Sequence, residues 1–263
     1  MTGWWLTTSD GFTISVNYVQ EFTTGQIRAF ECAKEGWKII KDDYWTFFGI
    51  SIVGALIGGL SFYVLIGAMV CGIFFCYLKR IDGQPVKFDD LWAGFRYFWP
   101  SLLLTIVVVV PILIYLIAAL MTIYLPIILT AVGGSRVKAD DLLAMAGVSL
   151  IVDLVIALVM VSIHSLIIFS FPLIVDRGIG SWAAIKLSAR AVLRNIGGVA
   201  GMIGVNFLLA IAGELALCIG LYLVIPVITA ANLVAYRRVF PRIEDGGRVP
   251  PSPTEHPGLK HAV

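Results

Sequence analysis

Two ionisable residues stand within a long apolar stretch of this sequence, where membrane segments seldom carry them. Asp153 and His164 are eleven residues apart, so an α-helix would place both on one face, about 16 Å apart along its axis. A carboxylate and an imidazole in such a segment could form part of a proton or ion path. A structural role fits them as well, with Asp153 near the outer headgroups and His164 bonded to a neighbouring helix. Asn206, in another apolar stretch, is the third candidate of this intramembrane polar site, and its usual role would be a helix–helix hydrogen bond.

A second set of candidate residues is basic and recurs at helical spacing on two amphipathic segments. The set comprises Lys34, Lys38, Lys41, Lys186, Arg190 and Arg194. A cation close to an anionic leaflet contributes on the order of 1 kcal/mol of binding. Two interpretations are open for these residues. They can simply anchor the helices at the interface, or they can bind lipid headgroups or a protein partner specifically. We therefore regard them as candidate lipid-headgroup contacts.

The sequence lacks the motifs that are typical of common catalytic sites. It contains no GxSxG, HExxH, P-loop or GxGxxG pattern. Its cysteines lie in or beside apolar segments without CxxC spacing, which is typical of buried small side chains rather than of a metal site. We therefore predict a protein that is not an enzyme and that needs no cofactor. The net charge of +2 gives no support to nucleic-acid binding.

The composition indicates a polytopic membrane protein. Apolar residues make up 59% of the chain and charged residues only 14%, whereas soluble domains have about 45–50% and 25%. We predict an all-α fold with six transmembrane helices arranged as three hairpins. The expected crossings are 45–62, 65–79, 99–132, 142–175 and two within 197–236 that reverse between Gly213 and Gly220. The second crossing is short, and a partly re-entrant form is its alternative.

An amphipathic helix is predicted before each hairpin, at 24–43, 88–97 and 181–195, and each would lie in the cytoplasmic interface. These elements together form a transmembrane domain over residues 24–240. An N-terminal arm over 1–23 precedes it, and a disordered Pro-rich tail over 241–263 follows it.

The distribution of basic residues predicts the orientation. With six crossings, all Lys and Arg residues except Arg136 and Lys138 fall on the same side. Because basic loops stay in the cytoplasm, this pattern predicts a bacterial inner-membrane protein with both termini cytoplasmic.

Two polar loops carry a resemblance to known membrane proteins. The segments RIDGQPVKFDDLWAGF (80–95) and PLIVDRGIGSWAAIKLS (172–188) resemble the loops of a widespread group of uncharacterised bacterial integral membrane proteins. The arrangement over about residues 24–240 is also similar to the membrane domain that accompanies some glycerophosphoryl diester phosphodiesterases. Catalysis in those enzymes belongs to a separate soluble barrel domain, for which this chain has no room. The resemblance implies a membrane domain without that activity and supplies no site residues.

These observations favour a non-enzymatic membrane protein that acts as a scaffold, an accessory subunit or a membrane-organising factor. The expected partners are membrane lipids, together with a protein partner or further copies of the chain. The alternative is a transporter or channel for a small or amphiphilic solute that uses Asp153 and His164. An enzyme that acts on lipid ranks third.

Overall fold

The computed structural model of the protein describes residues 6–7, 13–14, 22–61, 64–132, 139–215 and 219–242. Most of the predicted N-terminal arm and nearly all of the predicted C-terminal tail lie outside these residues. Two-residue strands at Leu6–Thr7 and Thr13–Ile14 pair in antiparallel fashion. The rest of the regular structure in the described chain is helical.

Nine α-helices follow one another in the described part of the chain. Their bounds are α1 Ala29–Ile40, α2 Tyr44–Leu60, α3 Ile66–Ile81, α4 Phe98–Val132, α5 Ala139–Leu166, α6 Ser170–Arg177, α7 Ser181–Arg194, α8 Ile196–Leu215 and α9 Ile219–Val239. A short 3-10 helix, Lys41–Asp43, joins α1 to α2, and a longer one, Phe88–Tyr97, precedes α4. The segment 88–97, expected as an amphipathic helix, is therefore wound as a 3-10 helix.

Five stretches of the described chain are long and apolar enough to cross a membrane. They are Ala29–Leu60, Phe88–Thr122, Ala146–Arg177, Ile196–Leu215 and Gly220–Val239. Helix α3 has 16 residues and extends only about 24 Å, which is less than a hydrocarbon core of about 30 Å. The protein is thus all-helical with five candidate membrane-spanning helices, and this agrees with a multi-pass membrane protein.

The buried core lies at one end of the molecule, where α1, α3, α6, α7 and α9 meet. Its largest members include Tyr77, Leu173, Leu233, Tyr236 and Phe240, all with less than 2% of their surface exposed. The rings of Tyr236 and Phe240 stack with their centroids 5.1 Å apart. We call this region the packed end. Burial of aromatic and branched side chains stabilises it in the same way as the core of a soluble domain.

Glycines let backbones touch within the packed end. A Cβ at Gly72 would overlap the carbonyl oxygen of Leu91, and one at Gly94 would overlap the carbonyl oxygen of Ala68. At these two positions the backbones of α3 and the 3-10 helix 88–97 therefore contact each other directly. Because a methyl group cannot fit in either position, these two glycines fix how closely the polar loop lies against α3.

Helices α4 and α5 leave the packed end together and form an arm, defined here as residues 106–132 and 139–163. None of the described side chains in the arm is buried. In the most apolar stretch of Ala146–Arg177, 0% of the residues are buried, compared with 44% in Gly220–Val239. The chain itself therefore covers the arm far less than it covers α9.

The predicted fourth crossing, 142–175, is interrupted by a turn between α5 and α6. Pro172 has no N–H group, so the carbonyl four residues earlier loses its helical partner and the helix restarts at Ser170. The hydroxyl of Ser188 on α7 donates to the carbonyl of Leu166 at 2.8 Å and accepts from the amide of Phe169 at 3.1 Å. One side chain thus satisfies backbone groups on both sides of the turn.

Candidate functional site

Asp153 lies in the middle of α5 and faces α4. Its Oδ1 lies 3.3 Å from Oγ1 of Thr122, and the one proton of that hydroxyl is shared between Asp153 and the carbonyl of Ala119 at 2.9 Å. Ser149, one turn before Asp153, donates to the carbonyl of Thr122 at 3.2 Å. The described residues give the Asp153 carboxylate a single donor, so its hydrogen-bonding capacity is mostly unused.

His164 also faces α4, nearer the packed end. Its Nδ1 is 2.8 Å from the carbonyl oxygen of Met160 on its own helix, and its Nε2 is 3.0 Å from the carbonyl oxygen of Val108. Carbonyl oxygens only accept hydrogen bonds, so a neutral imidazole can donate to just one of the two and an imidazolium can donate to both. His164 therefore ties α5 to the backbone of α4.

Asn206 belongs to a different helix pair. Its Nδ2 donates to Oδ1 of Asn232 at 2.9 Å and joins α8 to α9. Its own Oδ1 is buried and receives no hydrogen bond from any described residue. None of the described contacts joins Asn206 to Asp153 or His164, so the three predicted residues do not meet in one polar site.

The six basic candidates are all exposed. Lys34 and Lys38 lie on α1, and Lys41 begins the following 3-10 helix, with its Nζ 4.0 Å from Oδ1 of Asp42. The other three, Lys186, Arg190 and Arg194, lie on α7. The ammonium of Lys186 is 5.4 Å from the ring of Trp182.

An ionic cluster at the packed end joins three helix ends. The guanidinium of Arg237 on α9 makes two hydrogen bonds to Asp82, just after α3. Its Nη1 lies 2.8 Å from Oδ1 of Asp176 on α6, and Oδ2 of Asp176 accepts from the hydroxyl of Tyr236 at 2.7 Å. The three ionised side chains are only 12–15% exposed. Because one cation serves two carboxylates, the cluster alone carries one net negative charge.

A cleft of about 280 Å³ opens beside this cluster. It is lined by Phe75, Leu78, Lys79, Asp82, Gln84, Val175, Asp176, Arg177, Arg237 and Arg242. Its wall combines apolar side chains from α3 and α6 with guanidinium groups at the ends of α6 and α9. The ten lining residues carry four cations and two carboxylates.

Sequence reasoning did not single out Arg237, Asp82 or Asp176 as a cluster. A signal was present, because Asp82 and Asp176 each follow an apolar segment and Arg237 ends the last one, and the predicted topology brings all three segment ends to one side. Which of those ends become neighbours depends on tertiary packing.

No group of three or more His, Cys, Asp or Glu residues in the described part of the chain could hold a metal ion.

Comparisons with protein-family models, with curated proteins and with solved structures find no match to this chain.

Proposed function

We propose that this chain is a non-enzymatic, multi-pass protein of the bacterial inner membrane that serves as an accessory or scaffold subunit. The α4–α5 arm would be the surface on which a partner membrane protein packs. The observation that carries this proposal is the length of the arm together with its lack of cover inside the chain.

Helix α4 is longer than a membrane is thick. Helix α4 has 35 residues and extends about 52 Å, more than the roughly 40–45 Å of a bilayer that includes its headgroups. Thr122 is about 36 Å from Phe98 along the axis, so the contact between Thr122 and Asp153 would lie near the outer headgroups. Asp153 would then have access to water and headgroups and would not stand at the bilayer midplane.

The tip of the arm, residues 123–132 and 139–152, would extend beyond that level. It carries large apolar side chains with high exposure, among them Val132 at 82%, Leu143 at 71% and Leu150 at 71%. Apolar surface of this kind outside the hydrocarbon region marks a site of protein association. A partner that covers the tip would remove the surface from water, and this supports an accessory role more than a free-standing one.

The proposed topology has six crossings in three helix pairs, α2 with α3, α4 with α5, and α8 with α9. The helices α1 and α7 and the 3-10 helix 88–97 would lie in the cytoplasmic interface. The charge pattern supports this arrangement, because all Lys and Arg residues but two would then face the cytoplasm with both termini. Exposed tryptophans near these elements, including Trp92, Trp99 and Trp182, suit the headgroup level.

Site-specific photocrosslinking tests the proposal. A photoreactive amino acid replaces Leu150 or Ile114 on the arm, and Leu208 on α8, which is also exposed, serves as the control. After irradiation of cells, we expect a protein adduct of higher mass from the arm positions and none from Leu208. Adducts with lipid alone, an equal adduct from Leu208, or adducts that contain only copies of this chain would each contradict an accessory role.

The transport alternative has one observation in its favour, the single hydrogen-bond donor of the Asp153 carboxylate. A carboxylate with free acceptor positions can bind a cation or exchange a proton with water. Proton flux into proteoliposomes that contain the purified protein would distinguish the two functions.

A further inference from the structure

Some of the cationic side chains that line the cleft beside the ionic cluster form no ion pair with a described residue. Four of its lining residues are cations, namely Lys79, Arg177, Arg237 and Arg242. Two of them are committed to carboxylates, since Lys79 binds Asp90 at 2.8 Å and Arg237 binds the two aspartates of the cluster. The other two cations are Arg177 and Arg242, and after the excess negative charge of the cluster is counted, the lining together with Asp90 keeps a net charge of +1 for a ligand.

Arg177 has no carboxylate partner among the described residues. Its guanidinium lies over the ring of Phe240, 5.0 Å from the centroid, and its Nε is buried without a hydrogen-bond partner in that part of the chain. Stacking on an aromatic face orients a guanidinium while leaving its hydrogen-bond donors free. The fold thus holds Arg177 in place without occupying its donors.

Arg242 enters the cleft from the segment after α9 and is exposed. It too forms no ion pair with another residue that the structure describes. Two arginines without carboxylates in one cleft favour an anion, and planar guanidinium groups bind phosphate oxygens with two parallel hydrogen bonds. A volume of about 280 Å³ equals about nine water molecules at 30 Å³ each, which is ample for a phosphate group and its first substituent.

The apolar part of the cleft adds a second requirement. Phe75, Leu78 and Val175 line the wall beside the arginines, so the ligand should carry an apolar or uncharged substituent next to its anionic group. At the membrane level proposed above, phospholipid headgroups of the cytoplasmic leaflet lie beside this opening. A phosphate ester combines the required charge with an organic substituent.

We propose that Arg177 and Arg242 bind the phosphate group of a phosphate ester in this cleft. The ester is either the headgroup of an anionic phospholipid or a water-soluble phosphate compound, since the recognition chemistry is the same. The site is separate from the α4–α5 arm, so the inference stands or falls independently of the partner proposed for the arm.

Binding to the purified full-length protein in detergent tests this proposal with two probes. Native mass spectrometry measures retention of dioleoyl phosphatidylglycerol, and a thermal-shift titration measures binding of inorganic phosphate. The test variant is the double substitution Arg177→Gln and Arg242→Gln. The control is Lys87→Gln with Arg96→Gln, which removes the same charge from exposed positions beside and on the 3-10 helix 88–97.

We expect the cleft variant to bind the lipid at least tenfold more weakly and the control with Lys87→Gln and Arg96→Gln to stay within twofold of the unchanged protein. Binding of inorganic phosphate without the lipid would support the same site with a soluble ligand as its source. Equal losses in both variants would mean non-specific attraction and would overturn the proposal, as would failure of the unchanged protein to bind either probe. Because Arg242 is exposed, Arg242→Gln alone should fold normally and still weaken binding at least threefold; unchanged binding in this variant would also overturn it.

Discussion

Arg237 and Asp82 are 155 residues apart in the chain and are joined by two hydrogen bonds, Nε to Oδ1 at 3.0 Å and Nη2 to Oδ2 at 2.7 Å. This two-point contact links the end of α9 to the end of α3. With Asp176 on the other side of the guanidinium, it links α6 as well. A single arginine thus holds three chain segments in register at the packed end.

Loss of this arginine should destabilise the protein strongly. Arg237→Gln would leave Asp82 and Asp176 largely buried without their cation, at a cost of about 3 kcal/mol. The neighbouring Arg238 is a matched control, because it pairs with Glu31 and Glu35, which are about half exposed, and such pairs contribute less than about 1 kcal/mol. Thermal unfolding in detergent should therefore show a large fall in Tm for Arg237→Gln and a small one for Arg238→Gln. Equal falls would contradict the structural role given to the cluster.

The close contact between α3 and the 3-10 helix 88–97 gives a second prediction. Gly72→Ala should cost about 1–3 kcal/mol, since its methyl group meets the carbonyl oxygen of Leu91 and the backbones must separate. Gly147→Ala on α5 is the control, because nothing lies within 4 Å of its Cβ position. The fraction of protein that elutes as a monodisperse peak after mild heating measures the difference. A Gly72→Ala protein as stable as Gly147→Ala would refute the backbone contact.

The proposed topology predicts opposite labelling of two loops. Single cysteines at Ser135 and Ser252 are introduced into a Cys218→Ser background, where the remaining cysteines are Cys32, Cys71 and Cys76, all buried. A membrane-impermeant maleimide should label position 135 in intact cells and position 252 only in everted vesicles. Labelling of both positions from the same side would exclude the odd number of crossings that the proposed topology places between them and would remove the basis for the cytoplasmic assignments.

Asp153 separates the accessory role from the transport alternative. Proteoliposomes with the unchanged protein should show no proton flux above that of empty liposomes, measured with an internal pH-sensitive dye. Asp153→Asn keeps an acceptor for Thr122 and should change stability by less than about 1 kcal/mol. A flux in the unchanged protein that Asp153→Asn abolishes, and that His164→Ala reduces, would establish the transport function in place of the accessory one.

Local sequence signals predicted the helices well where the chain marks its own ends. The expected segments 45–62 and 65–79 correspond to α2 and α3, and 181–195 corresponds to α7, because glycines, a polar turn and a basic terminus bound these apolar or amphipathic runs. The turn at 167–169 was not predicted, since its stability depends on a hydroxyl from α7. The local sequence pattern contains no signal for a contact that comes from a distant helix.

The candidate site shows the same division. Helical spacing put Asp153 and His164 on one face, and both side chains indeed bond to α4. The spacing could not say which helix they would face, nor that Asn206 would pair with Asn232 in another helix pair. The cluster of Arg237, Asp82 and Asp176 could not be predicted from the sequence either, because charged groups at three separate helix ends become partners only when the helices pack.

The unequal lengths of α3 and α4 have a consequence for the surrounding lipid. One helix extends about 24 Å and the other about 52 Å, so no bilayer of uniform thickness matches both. Every residue of α3 is buried or half-buried, so neighbouring helices separate it from acyl chains and the lipid need not thin to match its length. The mismatch with the lipid should therefore fall on α4, whose exposed apolar side chains continue past the thickness of the hydrocarbon core.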